Sequence, residues 1–340
     1  NGAIDIFIRD RTLGTTERVS VNEADEETDG DSYNPSITED ADYVIFESDA
    51  TNLVAGDTNG AKDIFIVELA TGTVERLSVT SAEVEVDDFS YDPSISNDGR
   101  YVSFVSDATN LVAGDTNGTT DIFLRDRTLG TTERISVSTI NLESDGDASS
   151  PRVSPDGRYV VFGSDSTDLV TGDTNGVADI FLRDRTLETT IRVSVASDTT
   201  QSNGESTFPY VSDNGRFITF GSSATNLVAD DTNGDPDVFL HDTLTGVTER
   251  ISLKLDSTQA DGNLYNAALG VLSGDARFVI VSSGHTDIIA GDSNAAFDGF
   301  VYELDDGDGI SSTVERAAPN DGDVNENGYA DSVEQNITSF

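Results

Sequence analysis

Gly-Asp-Thr-Asn-Gly-x-x-Asp-Ile-Phe decides the fold of this chain, and it occurs at Gly56–Phe65, Gly114–Phe123 and Gly172–Phe181. A variant occupies Asp230–Phe239, a more divergent copy occupies Gly291–Phe300, and the chain starts within a further copy. The asparagines of the first five copies are each 58 residues apart. A period of this length predicts repeated supersecondary units that share one architecture.

Each repeat contains four short β-strand signals. In the second full repeat they are Ser90–Ser96, Tyr101–Ser106, Asp121–Asp126 and Thr132–Val137. The strands are rich in β-branched and aromatic residues, and an Asp-Gly turn joins the first two. No segment has a helical period. Four antiparallel strands in every repeat of about 58 residues predict an all-β fold, a β-propeller with five blades as the favoured count.

The sequence does not decide how the propeller closes, because the repeats give one strand more than five blades of four strands require. In the simplest closure, the N-terminal fourth-strand segment Thr16–Val21 completes the last blade. Either Asp5–Asp10 or Asp298–Leu304 is then a spare edge strand, through which two copies of the chain could associate. A six-bladed propeller that lacks its N-terminal part is the alternative.

The composition excludes several classes of partner and site. The 340 residues include 64 acidic and 19 basic ones, for a net charge of −45, so nucleic acid would be repelled. There is no cysteine for disulfides or zinc thiolates. No apolar run approaches the roughly 18 residues that span a bilayer, so we expect no membrane insertion. The excess of acidic residues indicates either calcium binding or a saline habitat.

The repeat resembles a known family. Pro-x-Ile-Ser-x-Asp-Gly-Arg-Tyr-Val-x-Phe, here Pro93–Phe104, is followed by Asp-Ile-Phe-Leu-Arg-Asp at Asp121–Asp126. This arrangement resembles the TolB-type, WD-like propeller repeats of secreted and periplasmic bacterial proteins. The resemblance covers residues 1–304, the predicted propeller domain. It implies a propeller fold and a secreted, extracellular prokaryotic protein, but a fold by itself assigns little function.

The loop between the second and third strands of each repeat is a predicted calcium site. Its oxygen-bearing side chains surround a glycine turn, and it resembles a shortened calcium loop of integrin-type propellers. The alternative is an Asx turn, in which Asp and Asn bond their own backbone without metal. The predicted ligands are Asp57, Asn59, Asp63, Asp115, Asn117, Asp121, Asp173, Asn175, Asp179, Asp231, Asn233, Asp237, Asp292, Asn294 and Asp298.

Residues 305–340 are predicted to form a separate calcium-binding tail. Asp323–Glu334 fits the pattern D-x-[DN]-x-[DN]-G-x₅-E, so it looks like an EF-hand or thrombospondin type 3 loop. An acidic solvated linker is the alternative. The predicted ligands are Asp323, Asn325, Asn327, Tyr329 through its carbonyl, Asp331 and Glu334, with Asp306, Asp308 and Glu315 in a less regular preceding loop.

Two further expectations concern the strands. The arginines near the end of the fourth strands are predicted to pair with the aspartates that end the third strands. The arginines are Arg18, Arg76, Arg134, Arg192 and Arg250, and the aspartates are Asp10, Asp126, Asp184 and Asp242. His241 is predicted to be an exposed strand residue. Because the strands alternate in direction, the motif loops and the acidic loops that follow each fourth strand should lie at the same end of every blade.

Three functions are compatible with these patterns. The favoured one is a non-catalytic, secreted, calcium-stabilised scaffold of a cell surface, matrix or filament. The second is a module that binds a glycan or a cell-surface protein. The third is a glycoside hydrolase or lyase, which would need two carboxyl groups facing one bond. No catalytic residue and no organic cofactor is predicted. The expected partners are several calcium ions and further copies of the chain, associated through the spare strand or the tail.

Overall fold

The computed structural model describes residues 2–254, 258–260, 270–283, 298–304 and 338–339, and its regular structure is entirely β-strand. Within these ranges there is no helix that could cross a membrane. The strands are β1 (Phe7–Asp10), β2 (Thr15–Arg18), β3 (Ser32–Ile37), β4 (Tyr43–Ser48), β5 (Asp63–Glu68), β6 (Thr73–Arg76), β7 (Ser90–Ile95), β8 (Tyr101–Ser106), β9 (Asp121–Asp126), β10 (Thr131–Arg134), β11 (Ala148–Val153), β12 (Tyr159–Ser164), β13 (Asp179–Asp184), β14 (Thr189–Arg192), β15 (Ser206–Val211), β16 (Phe217–Ser222), β17 (Asp237–Asp242), β18 (Val247–Arg250), β19 (Gly270–Leu272), β20 (Phe278–Ser283), β21 (Asp298–Glu303) and β22 (Thr338–Ser339).

These strands form repeated four-stranded sheets in chain order. The sheets are β3–β6, β7–β10, β11–β14, β15–β18 and β19–β22, and β1 pairs with β2 in a two-stranded ribbon. The predicted β-propeller of four-stranded blades is therefore confirmed. In the second full repeat, the second and third strands, β8 and β9, begin and end where the sequence predicted. The fourth runs from Thr131 to Arg134 and is shorter than predicted.

The predicted closure of the last blade is wrong. β2 pairs with β1, from Phe7 opposite Arg18 to Asp10 opposite Thr15. The fourth strand of the last sheet is β22, which pairs with β21 and comes from the segment predicted to be a separate tail. Two strands joined by a tight turn pair readily, because closing so short a loop costs little entropy. Segment Asp5–Asp10, one of the two candidates for the spare strand, therefore pairs through β1 with β2.

The chain divides into two compact units. One comprises Asn1–Asp173 with Leu182–Ile191, and the other comprises Thr174–Phe181 with Arg192–Phe340. The division passes through β13 and β14. The β1–β2 ribbon and the first two sheets lie in the first unit, and the last two sheets lie in the second.

Each sheet has two different apolar faces, because successive strand residues point to opposite sides. We call them the aliphatic face and the phenylalanine face. In the first unit, Ile64 and Ile66 form the aliphatic face of the first sheet and pack with Phe104 and Phe123 of the second. The phenylalanine face of the first sheet, formed by Phe46 and Phe65, packs with Ile6 and Val19, which flank the two strands of the ribbon. The second unit repeats the order: Val238 packs with Val281 and Phe300 of the last sheet.

Neighbouring sheets of the first unit are also joined near the Asp-Gly turns. Arg127 donates to Glu75 Oε2 at 3.0 Å and to the carbonyl of Gly99 at 2.7 Å. Its guanidinium carbon lies 4.7 Å from the centroid of the Tyr43 ring. Gly99 has a φ of +70°, and a Cβ atom added there would overlap that ring. The glycine is thus required both by its backbone conformation and by its contact with the preceding sheet.

The substitution Gly99→Ala should lower the midpoint of thermal unfolding strongly. A positive φ costs an alanine about 1–2 kcal/mol, and the overlap with Tyr43 should add about 1–3 kcal/mol. Gly56→Ala is the matched control, since Gly56 has a φ of +85° with nothing within 4 Å of an added Cβ. Equal losses in the two variants would contradict the contact with Tyr43.

Candidate metal site

Two loops meet at one end of the first complete sheet. The loop between β4 and β5 carries the repeated motif, and the loop after β6 carries Glu85. The backbone N–H of Thr58 donates to Glu85 Oε1 at 2.7 Å, and the Asn59 amide donates to the carbonyl of Val86 at 3.1 Å. The predicted meeting of these loops at one end of the sheet is confirmed here.

Three carboxylates converge where the loops meet. Asp57, Asp63 and Glu85 each offer an oxygen atom within 4.8 Å of the others. Asp63 opens β5 and is fully buried. It accepts hydrogen bonds from the Ser78 hydroxyl at 2.5 Å and from the Asn59 amide at 3.3 Å. The position of Asp63 is therefore fixed by the strands, and the other two acids are brought to it by the loops.

Arg76, at the end of β6, lies against all three acids. Its Nη1 atom is 2.7 Å from Glu85 Oε1, 3.2 Å from Asp63 Oδ2 and 3.4 Å from Asp57 Oδ1. One guanidinium offsets only one of the three negative charges. When all four groups are ionised, the cluster keeps two uncompensated negative charges.

The predicted partners of these arginines are wrong. The aspartate that ends a third strand pairs instead with the arginine of the Asp-Gly-Arg turn: Arg100 donates to Asp126 at 2.9 and 2.7 Å. The strand register explains this. Asp126 lies opposite Tyr101, directly after Arg100, whereas Arg76 lies opposite Phe65, near the start of its neighbouring strand. The same turn pairing recurs as Arg158 with Asp184 and Arg216 with Asp242.

Asp57 is the least satisfied group of the cluster. Its side chain is 1% exposed, and neither of its carboxylate oxygens has a hydrogen-bond partner. Burial, reinforced by the negative charge of Asp63, raises the pKa of Asp57 to about 6. Glu85 differs: burial acts against ionisation, but hydrogen bonds from Thr58 and Arg76 prevail and lower its pKa to about 2. A buried carboxylate without donors is the kind of group that a cation stabilises.

Asn59 forms the Asx turn that the sequence analysis gave as the alternative to a metal ligand. Its Oδ1 atom accepts the backbone N–H of Ala61 at 2.9 Å, which is an Asx turn. Asp57 therefore has the most available oxygens among the predicted ligands of this loop. The sequence analysis missed Glu85, although a signal was present. Positions 27, 85, 143, 201 and 259 share the 58-residue period and hold Glu, Glu, Glu, Gln and Gln.

The second complete sheet repeats this arrangement. Arg134 lies 3.2 Å from Asp115, 3.5 Å from Asp121 and 2.7 Å from Glu143. Asn117 donates to Asp121 at 3.2 Å, as Asn59 does to Asp63. The pKa values of Asp115 and Asp121 are both raised by burial. This loop is therefore a second acidic cluster built around one arginine.

The second unit contains a less acidic version. Arg250 lies 3.5 Å from Asp231 and 3.1 Å from Asp237, and Gln259 donates to Asp231 at 3.0 Å. Asn233 accepts the N–H of Asp235 at 3.1 Å, again as an Asx turn. Glutamine in place of glutamate removes one negative charge, so this loop has less charge to offer a cation.

The remaining predicted ligands are only partly placed. Asn175 donates to Asp179 at 2.7 Å, and Asp179 lies 3.1 Å from Arg192. Asp173 is half-buried in the loop before β13. Asp298 begins β21, but its side chain lies outside the described residues. Also outside them are Asp292, Asn294, Asp306, Asp308, Glu315, Asp323, Asn325, Asn327, Tyr329, Asp331 and Glu334.

His241 is buried, so the prediction of an exposed residue is wrong. It is 5% exposed, and its Nδ1 atom lies 2.9 Å from the Thr248 hydroxyl. Burial lowers its pKa. Arg125 and Arg183, at the same position of earlier repeats, are buried as well. Both faces of these third strands are covered, which alternation along a single strand does not reveal.

The pH dependence of stability should identify Asp57. A carboxyl group of an unfolded chain titrates near 3.9, so the folded chain holds the Asp57 proton more tightly than the unfolded chain does. Stability in a chelator should therefore fall as the pH rises from about 4 to about 6. Asp57→Asn should flatten that fall, measured as the free energy of unfolding in urea.

Asp126→Asn is the control of opposite sign. The hydrogen bond from Arg100 holds the pKa of Asp126 below its ordinary value, so its stabilisation is lost as the pH falls below about 4. This variant should change the free energy of unfolding below about pH 4. It should leave the decrease in that free energy between about pH 4 and 6 unchanged. An unchanged slope in Asp57→Asn would contradict the raised pKa.

No protein-family profile and no curated protein matches the chain. Solved structures do resemble it. An oligogalacturonate lyase in complex with manganese aligns with a TM-score of 0.54 at 12% identity, over 88% of this chain and 68% of that one. TolB from Acinetobacter baumannii aligns at 0.48 and 16% identity, over 88% of this chain. The propeller domain of the Trilobed protease from Pyrococcus furiosus aligns at 0.47 and 12% identity, over 81% of this chain and 69% of that one.

The chain spans 56% of the length of that TolB chain. Identities this low carry information about architecture and none about chemistry. The repeated four-stranded antiparallel sheets identify the fold as a β-propeller, and the alignment with the lyase, at a TM-score of 0.54, agrees with this architecture.

Proposed function

We propose that this chain is a secreted, non-catalytic β-propeller scaffold that binds calcium through the loops of its first complete sheet. The observation that carries the proposal is Asp57, a carboxylate with 1% exposure and no hydrogen-bond donor, beside Asp63 and Glu85. Desolvating such a group is costly unless a positive charge compensates it. The two uncompensated charges of the cluster match a divalent cation.

Calcium suits the chemistry of this donor set. It is bound by about 6–8 oxygen ligands, and carboxylates are its preferred anionic ones. Asp57, Asp63 and Glu85 would hold it, with backbone carbonyls or water completing the shell. The ion would join the loop before β5 to the loop after β6 and neutralise buried charge. Arg76 would have to share the carboxylates, so cation and guanidinium compete for the same oxygens.

The periodicity of the clusters favours a structural role over a catalytic one. Arg76 and Arg134 lie in matching sets of acids in successive sheets. A glycoside hydrolase needs two carboxyl groups with distinct roles at one bond. A set that recurs in successive sheets instead supports those sheets in the same way. The low basic content and the lack of cysteine suit a secreted protein whose loops are cross-linked by metal.

Calcium should raise the midpoint of thermal unfolding, measured at constant ionic strength in about 10 mM calcium and in a chelator. Extracellular calcium sites have dissociation constants of about 10⁻⁴–10⁻³ M. Binding at about 10 mM calcium should therefore add about 1.5–3 kcal/mol to the free energy of unfolding. Asp57→Asn should remove most of this gain. Asp231→Asn, at the matching position of the less acidic loop, should keep it. No calcium effect in the natural chain would refute the site.

Arg76→Gln should increase the dependence on calcium. Without the guanidinium, the three acids repel one another, so stability in the chelator should fall, while calcium meets no competitor. The gap between the two unfolding midpoints should therefore widen. Arg100→Gln is the control, because Arg100 pairs with Asp126 and does not contact the cluster. It should lower both midpoints equally. A narrower gap in Arg76→Gln would mean that the arginine, and not a cation, completes the cluster.

A further inference from the structure

A pocket of about 450 Å³ lies in the second unit, beside the fourth complete sheet, β15–β18. Thr248 of β18 and the loop 226–229 after β16 line part of it. The other lining residues belong to the turn after β14 and are Ala196, Ser197, Asp198 and Thr200. The pocket therefore lies within one unit, whereas the acids around Asp57 belong to the other.

In the third complete sheet, an arginine side chain occupies the corresponding place. Arg183 of β13 donates to the carbonyl of Ser138 at 3.4 Å and to the Thr190 hydroxyl at 3.2 Å. These two acceptors precede Ala196 and Thr248 by 58 residues, which is one repeat. The guanidinium of Arg183 is therefore held by the counterparts of two residues that line the pocket.

The second complete sheet contains the same arrangement. Arg125 of β9 donates to the carbonyl of Thr80 at 3.4 Å and to the Thr132 hydroxyl at 3.3 Å. The turn supplies a further acceptor, which is Glu83 here and Asn141 in the third sheet. The fold thus builds one guanidinium site twice, from a turn carbonyl, a strand hydroxyl and a side-chain acceptor.

The fourth sheet has His241 at this position, and its shorter side chain does not replace the arginine. Within the described part of the chain, the hydrogen bond to Thr248 is the only one that His241 makes. The carbonyl of Ala196 accepts the N–H of Thr199 and no arginine. Burial lowers the pKa of His241, so the imidazole is uncharged near neutral pH. The pocket therefore keeps acceptors of the guanidinium site and lacks its positive charge.

The pocket also carries a negative charge that its counterparts lack. Asp198 stands where the two earlier turns have Ala82 and Ile140. Its carboxylate is exposed, and hydrogen bonds from the side chain and backbone of Thr200 lower its pKa, so it is ionised at neutral pH. Of these three turns, the one without an arginine beside it has the acid. The charge of the pocket thus favours a cationic ligand.

We propose that this pocket binds the guanidinium of an arginine side chain presented by another polypeptide. The ligand supplies the group that Arg125 and Arg183 supply from within the chain. A guanidinium is planar and has five N–H donors, so it can donate to separate acceptors such as the Ala196 carbonyl and the Asp198 carboxylate. The ammonium group of lysine is a compact point charge, so the pocket should prefer arginine.

The partner is a protein with an arginine on an exposed loop or terminus. The net charge of −45 attracts basic segments to the chain without selecting among them. The pocket adds the selection, because its acceptors match a guanidinium. This inference goes beyond the scaffold function proposed above, and it does not depend on the calcium site.

Titration of the full chain with N-acetyl-arginine amide tests the pocket. The sequence has two histidines, His241 and His285, so the imidazole NMR signals are few, and the variant His285→Gln assigns them. The His241 signal should shift with a millimolar dissociation constant, as suits a ligand of this size. N-acetyl-lysine amide has the same charge, and N-acetyl-citrulline amide has a similar shape without the charge. Both should bind at least about fivefold more weakly.

Two results of this titration would overturn the proposal. Equal binding of the lysine compound would mean that the pocket responds to charge alone and does not recognise a guanidinium. A His241 signal that stays unchanged at saturating ligand would mean that no guanidinium binds beside it.

Two substitutions in the pocket locate the ligand, with binding measured by saturation transfer from the protein. His241→Arg should abolish binding, because it restores the internal arginine of the third sheet. Asp198→Asn should weaken binding about fivefold or more and leave the fold intact, since Asp198 is exposed. Asp88→Asn is the control, because Asp88 is an exposed acid of the loop after β6 in the other unit. It should bind the ligand like the natural chain.

Circular dichroism confirms that each variant is folded. Unchanged binding by folded His241→Arg or by Asp198→Asn would place the ligand elsewhere and refute the pocket. The titration is run in calcium and in a chelator at constant ionic strength, which separates it from the metal site. Arginine binding without a calcium effect on unfolding would refute the metal site alone, and a calcium effect without arginine binding would refute the pocket alone.

Discussion

The packing of unlike faces is the constraint on which the rest of the structure depends. A four-stranded sheet with Ile64 and Ile66 on one side and Phe65 on the other has no polar side to turn to water. It must be covered twice, by two neighbours of opposite character. This requirement keeps the repeats in one order.

Electrostatics determines how a chain with so few basic residues uses them. Three arginine positions of the repeat each pair with specific carboxylates: Arg76 with the loop acids, Arg100 with the aspartate that ends a strand, and Arg127 with a glutamate of the adjacent sheet. These contacts are partly buried, where the partner of a charge matters more than it does at the surface. Part of the remaining negative charge lies in the loops around Asp57 and Glu85.

The sequence predicted the repeated sheets and most strand boundaries, because period, β-propensity and turns are local signals. The sequence-based predictions were wrong where an ion pair or the burial of a side chain depends on residues of another strand or another sheet. The partner of Arg76 follows from register, and the burial of His241 follows from a neighbouring sheet. Asn59 shows a different limit, since an Asx turn and a metal loop use the same residues. The sequence also could not decide which strand pairs with β2, because the third strands of the repeats are nearly identical and each would fit as its partner.

The dipeptide Glu75-Arg76 has a consequence for how such a chain evolves. Its two side chains point in opposite directions: Glu75 reaches Arg127 in the following sheet, and Arg76 reaches the acids of its own loops. A deletion or insertion of one codon in this strand would exchange the two and break both contacts at once. Gain or loss of a whole 58-residue segment preserves them. Unequal recombination between repeats is thus a length change that leaves both contacts in place.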